Sequence, residues 1–322
     1  MKPSWRHGVF VGLLICSGFL IAYIFSTIQD NQNKSAESSS QSATEATEAS
    51  EPPQPEPVEL PFGGRSLIPE YRFVALYGNR VHPGLGALGE QPLEEAITRA
   101  RTVAAEYEAY SEEPVIPTFE IITTVAAAEL TDDNDYSREI SVETIRPWVD
   151  AAQEQGFYVL LDLQPGRSTF LSQAKKYEAL LKEPHVGLAL DPEWRLQTDT
   201  DRHLVKVGSV SAAEINETSQ WLADLVKQHD LPQKMLVLHQ FKPSMITERE
   251  TLHTSREELA IVLHMDGHGA LGSKTGTWNR IRTDLPDNIY MGWKNFYDED
   301  RPTPTPQQTM AQIPTPWFIS YQ

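Results

Sequence analysis

The sequence predicts a (β/α)8 TIM barrel, and three observations carry that prediction. Eight short apolar runs alternate with amphipathic stretches from residue 62 onward. Such alternation marks parallel strands joined by crossover helices. The stretch holds roughly 260 residues, close to the ~250 that one barrel needs. No Ser/Pro-rich linker divides it, so one domain is expected over residues 62–322.

The strand-like runs cover 72–78, 115–125, 157–164, 186–194, 235–241, 259–266, 288–295 and 317–322. Helical periodicity falls between them at 93–110, 142–155, 170–181, 212–229, weakly at 246–253, at 274–282 and briefly at 305–310. The eighth run is the last segment, so the barrel is expected to lack its final helix. Residues 62–71 are candidates to cover that gap or to plug the barrel bottom. A doubly wound open sheet is the competing architecture, but it places a glycine-rich phosphate turn directly after its first strand. Gly84-Leu85-Gly86-Ala87-Leu88-Gly89 has the right spacing, yet it starts six residues late, inside a Pro/Gly loop and without an acidic ribose partner. It reads as a loop with special backbone angles.

The N-terminus differs in kind. Lys2 and Arg6 precede 21 uncharged, apolar-rich residues from Gly8 to Ile28. That length spans a bilayer as a helix. The preceding positive charges predict a cytoplasmic tip, with the remainder outside. Residues 1–29 are therefore expected to be an uncleaved single-pass signal anchor. A cleaved signal peptide, which would make the domain secreted, is the rival reading. It normally has a shorter apolar core and an A-x-A-like site. Cys16 resembles a lipoprotein cysteine, but Ile15 stands where that signal wants a small residue. Residues 30–61 are rich in Ser, Thr, Glu, Gln and Pro and are expected to form a disordered linker.

Charge and cysteine content exclude several function classes. The net charge is -18, divided as +2 over residues 1–29, -6 over 30–61 and -14 over 62–322. A nucleic-acid partner needs a basic face and is not expected. The folded part is too acidic to dock on an anionic membrane, so membrane contact is expected through the N-terminal helix only. A single cysteine rules out intrachain disulfides and cysteine-rich metal sites.

Barrel enzymes react at the C-terminal ends of their strands, where alternate residues face inward. Those ends carry Tyr77; Thr118 and Glu120; Asp162 and Gln164, followed by Arg167; Asp191 and Glu193, followed by Trp194; His239; His264, Asp266 and His268; and Trp293 with Lys294. Buried ionisable groups cost several kcal/mol without partners. Their collection at one rim therefore points to a site. For any one of them a helix cap or a pair with Arg167 or Arg195 is the plain structural alternative. Carboxylates with aromatic and His neighbours suit glycoside hydrolysis, which uses a protonated acid at the leaving oxygen and a second carboxylate or substrate amide at the anomeric carbon. Asp162 and Asp266 complete the candidate catalytic set. Tyr77, Glu120, Gln164, Arg167, Trp194, His239, His264 and Trp293 are candidate substrate contacts.

The run Val186-Gly187-Leu188-Ala189-Leu190-Asp191-Pro192-Glu193-Trp194 resembles the fourth-strand signature of chitinase-like barrel hydrolases, D-G-x-D-x-D-x-E. The resemblance implies that Glu193 is the proton donor and that Asp191 orients the substrate's acetamido group. Val186 and Ala189 replace the first two aspartates, and Pro192 separates the carboxylates. More broadly, Gln164-Pro165-Gly166-Arg167, Leu190-Asp191-Pro192-Glu193-Trp194-Arg195 and Met265-Asp266-Gly267 resemble exported bacterial barrels of glycoside-hydrolase-like type whose activity is unassigned. That likeness covers residues 70–322.

The function expected is a cell-surface glycoside hydrolase acting on an envelope or extracellular polysaccharide, without metal or cofactor. Two alternatives stay open. The loss of the two family aspartates fits an inactive barrel that binds glycan or protein. His264-x-Asp266-x-His268 with His239 nearby fits a metal-dependent polysaccharide hydrolase or deacetylase. On a straight strand, however, those three ligands span about 13 Å, and Gly267 and Gly269 would have to bend the chain.

Overall fold

The computed structural model describes residues 57–322. The expected anchor and most of the linker lie outside the described residues. Eight parallel strands close into a barrel. They are β1 (Arg72–Gly78), β2 (Val115–Ala126), β3 (Tyr158–Leu163), β4 (Val186–Leu190), β5 (Lys234–Gln240), β6 (Leu259–Met265), β7 (Tyr290–Asn295) and β8 (Phe318–Tyr321). Closure is made by β1, which pairs with β8 through Phe73↔Phe318 and with β2 through Arg72↔Val115.

The outer helices form where the 3.6-residue pattern and the caps agree. Helix α1 (Leu93–Ala105) buries Ala96, Ile97, Ala100, Val103 and Ala104. Helix α2 (Val142–Gln155) starts at Ser141, whose side chain accepts the Thr144 N–H, and stops at Gly156 in the left-handed region (φ 72°). Helix α3 (Phe170–Lys176) is capped by Thr169. The helix expected over 170–181 breaks at Tyr177, which leaves helical geometry and donates its hydroxyl to Thr123 O (2.7 Å) and Ile140 O (3.0 Å). Helix α4 (Ala212–Gln228), helix α5 (Leu271–Ile281) and the short α6 (Pro306–Met310) follow. Among the described residues no helix is long and apolar enough to cross a membrane.

One crossover departs from the expected pattern. Between β5 and β6 the weak helix expected at 246–253 is replaced by a two-residue strand, Ile246–Thr247, and a 3-10 turn, Arg249–Thr251. Glu248 between them adopts φ 55°. Arg249 takes over the stabilising role of a packed helix. Its buried guanidinium donates to Gln240 Oε1 (2.9 Å) and to Ile281 O at the end of α5 (2.6 Å).

Strand alternation sorts the core into two parts. Leu76, Phe119, Leu161, Leu188, Leu236, Leu263 and Trp293 face the helices. Phe73, Ala75, Ile116, Tyr158, Leu160, Ala189, Met235, Val237, Ala260, Val262 and Phe318 fill the barrel interior. Residues 60–68 plug the bottom of this inner cluster with Leu60, Phe62, Leu67 and Ile68. The Leu67 N–H donates to Gln233 Oε1 (2.9 Å), which ties the plug to the start of β5. The packed domain thus reaches back to Leu60, inside the stretch expected to be linker. Gly187 has a packing reason: a Cβ there would sit 2.6 Å from Met235 O and 2.7 Å from the Tyr158 hydroxyl.

Candidate active site

The upper interior of the barrel is polar, in contrast to its lower half. His239 lies at the centre, fully buried, among carboxylates from three other strands. Its Nδ1 is 2.9 Å from Asp266 Oδ2, and its Nε2 is 2.9 Å from Glu120 Oε1 and 3.7 Å from Asp162 Oδ1. Tyr77 donates its hydroxyl to Asp162 Oδ2 (3.1 Å) and accepts from Gln164 Nε2 (3.3 Å). Lys294 reaches in from β7. Its ammonium is 3.1 Å from Asp266 Oδ1 and 3.6 Å from the centre of the Tyr77 ring.

Above this network opens a cleft of about 440 Å³. Its floor carries Tyr77, Gln164, Asp191, Asp266 and Lys294, and its walls include Glu193, Trp194, Phe241, His268 and Phe296. Strand β4 ends at Leu190, one residue before the carboxylates. Pro192 initiates a 3-10 turn, Pro192–Trp194, and Asp191 caps it by accepting the Glu193 N–H on Oδ1 (3.2 Å). Asp191 and Glu193 are therefore not successive inward positions of one strand. The turn leaves Asp191 buried and lifts Glu193 to a half-buried place on the rim, and both still line the same cleft.

Proton affinities within the site are driven apart. Burial pushes the Glu193 carboxyl up to about 7, and the Asp266 charge adds to the shift. Burial likewise raises Asp162 to about 7, with Glu120 adding and His239 opposing. Asp191 is raised well above the usual carboxylate range by burial and by Asp162, Asp266 and Glu193. Asp266 goes the other way: burial opposes its charge, but Lys294 and His239 hold it far below the ordinary range. For His239, burial disfavours the cation, and Glu120 and Asp266 more than offset that and raise it. His264 is lowered by burial and by the His239 charge. The cleft therefore presents a carboxylate held ionised, Asp266, beside a half-buried carboxyl, Glu193, that exchanges its proton near neutral pH.

The expected contacts are placed unevenly. Tyr77, Gln164 and Trp194 line the cleft. Glu120 and His239 form the layer beneath it, fully buried. His264 sits deeper, with Nε2 3.3 Å from Ser320 Oγ and its ring against Phe318. Two residues do not belong to the site. Arg167 lies over the Tyr136 ring (4.7 Å) and donates to Asp199 O, because the loop after β3 carries it away from the mouth. Trp293 faces outward and packs on Trp278 of α5 (5.5 Å), while its neighbour Lys294 takes the inward position. Arg195 pairs with Glu214 (3.0 Å) and touches neither Asp162 nor Asp191.

The three-ligand arrangement on β6 is not formed, since His268 is exposed and packs against Phe296 (5.8 Å). The donor set that does gather is Glu120, His239 and His264, whose ligand atoms lie within 4.8 Å of one another. A metal ion there would have to take a His239 ring nitrogen from its carboxylate partner, Glu120 or Asp266. The hydrogen-bonded His239 bridge already satisfies both ring nitrogens.

No protein-family model matches the chain, and no curated protein matches its sequence. Among solved structures it is similar to the cellulose synthase subunit Z of Clostridioides difficile, at 8% identity over 78% of this chain and 91% of that one, with a TM-score of 0.39. It is also similar to a provisionally assigned alpha amylase from Salmonella typhimurium, at 12% identity over 74% of this chain and 35% of that one, with a TM-score of 0.24. At these scores neither likeness bears on the chemistry of the cleft.

Proposed function

We propose that this barrel is a glycoside hydrolase acting on an envelope or extracellular polysaccharide, with Glu193 as the general acid. The observation that carries the reading is the pair of oppositely tuned carboxylates lining one cleft. Environments that split the proton affinities of neighbouring carboxyls are how acid and charge-stabilising roles are divided. Glu193 holds its proton up to about pH 7 and is half-buried at the rim, so it can protonate a leaving glycosidic oxygen. Asp266 stays ionised and offers negative charge to the oxocarbenium-like centre. This assigns the second carboxylate role to Asp266 instead of Asp191. Asp191 accepts the Glu193 N–H on Oδ1, which positions the acid. Trp194, Phe241 and Phe296 supply apolar faces for sugar rings.

We propose that residues 1–29 anchor the chain, with the barrel outside the cell, or that the barrel is secreted if this segment is cleaved. The partner is then a glycan and not a nucleic acid. The test is a screen of the purified full chain against isolated envelope polysaccharides, scored for released reducing ends and for retention. Release that is lost in Glu193→Gln supports the hydrolase. Retention without products by the unaltered chain refutes it in favour of a binding barrel. Release abolished by a chelator refutes the metal-free mechanism.

A further inference from the structure

Beside the main cleft lies a second cavity of about 230 Å³, lined by Glu193, Trp194, Leu204, Val205, Lys206 and Val207. It shares Glu193 and Trp194 with the cleft, so the two adjoin at the proposed acid. Leu204 and Val205 are 87% and 86% exposed, the most open large apolar side chains of the described domain. Leu204 also holds φ 63°, a conformation that disfavours a bulky side chain.

The loop is anchored on both sides of these residues. His203 is buried, with Nδ1 3.0 Å from Ala127 O and Nε2 3.0 Å from Trp194 O. The Gly208 N–H donates to Glu193 O (2.6 Å), and a Cβ on Gly208 would lie 2.5 Å from the carbonyl oxygens of Pro192, Glu193 and Arg195. The chain is thus fastened to the Glu193 turn, and two apolar side chains are held out at the edge of the cleft.

We propose that this loop carries a second subsite, adjoining the cleft at Glu193, which takes an apolar substituent of the glycan such as an acyl or alkyl chain. The cavity is too small, and the apolar tip too short, for a protein interface, which needs ~1,000 Å² or more. A membrane surface is disfavoured by the charge of -14 over residues 62–322 and by the pairing of Lys206 with Asp201 (3.0 Å). An apolar group attached to the chain in the cleft meets both constraints. The proposal rests on the glycan reading for the sugar but not for the apolar contact.

The test compares hexyl β-glucoside with methyl β-glucoside, titrated onto the full chain in lipid nanodiscs and read by saturation-transfer NMR. Leu204→Asp/Val205→Asp in the same nanodiscs supplies the lipid background. The hexyl compound is expected to bind about tenfold tighter than the methyl compound, with the preference lost in the double variant. Equal affinities in the unaltered chain, or a preference that survives the double variant, would overturn the subsite. If the double variant does not fold, Val205→Gln replaces it, and a preference no weaker than the unaltered chain's overturns the proposal. Polysaccharide turnover without hexyl preference removes the subsite alone. Hexyl preference that depends on Leu204 and Val205, without turnover of any polysaccharide, removes the hydrolase reading alone.

Discussion

Replacing Lys294 with methionine tests the electrostatic core of the site. Lys294 is 2% exposed, and its ammonium lies 3.1 Å and 3.3 Å from the two oxygens of Asp266. The variant keeps the apolar stem but leaves Asp266 buried with His239 as its remaining cationic partner. Breaking a buried ion pair from one side costs about 3–5 kcal/mol. The deficit should depend on pH. In the unaltered chain the depressed Asp266 contributes stability present above its unfolded value of 3.8, lost only as pH falls through the far lower folded value. Without Lys294, burial dominates and the carboxyl rises, so the variant is penalised most where Asp266 is forced to ionise. Urea unfolding of both proteins should show a gap of about 3–5 kcal/mol at pH 7 that narrows toward pH 4. Adding Asp266→Leu to Lys294→Met should recover part of the loss, since an apolar pair removes the stranded charge. A gap below about 1 kcal/mol, the size of a surface pair, would show that no buried ion pair with Lys294 holds Asp266 ionised. So would a gap of the same size at both pH values.

Three further outcomes follow from single residues. Asp162, raised to about 7, contributes stability that is fully present below its unfolded value and lost as pH rises through about 7. At 1.36 kcal/mol per unit this is of order 4 kcal/mol, so Asp162→Asn should flatten the decline in urea stability between pH 4 and pH 8. Gly208→Ala must push three carbonyls away from a new Cβ, so it should cost about 1–3 kcal/mol in thermal unfolding and lower kcat by moving Glu193. Trp293→Ala should destabilise by about 3–5 kcal/mol in the same assay and leave KM unchanged, because that side chain packs on α5 and not in the cleft.

The barrel was legible because its determinants are local. Each strand carries its own apolar run, and strand parity alone places Glu120, Asp162, His239 and Asp266 inward. Parity also separates Trp293 from Lys294. Sugar chemistry favoured the tryptophan, whereas the cost of burying an ammonium outside a site favoured the lysine. Pro192 carried the signal that β4 ends early, since a proline beside Asp191 cannot continue a central strand. Other features were beyond local pattern. The 241–258 crossover is held by Arg249 reaching the end of a helix 32 positions away. Arg167 leaves the mouth because Tyr136 and Asp199, both distant in sequence, draw it outward. The proton affinities depend on groups from β1 to β7 meeting at one depth, which periodicity does not encode.

Glu193, as the proposed general acid, gives up a proton during glycosidic cleavage. The most direct measurement is the pH dependence of reducing-end release from a polysaccharide substrate by the unaltered chain and by Glu193→Gln. The rate should fall as pH rises through about 7, where Glu193 loses its proton. The variant should lose about 10²–10⁴-fold in rate, together with that limb. A variant that turns over at the unaltered rate, or a profile that keeps the same limb without Glu193, would show that Glu193 is not the acid.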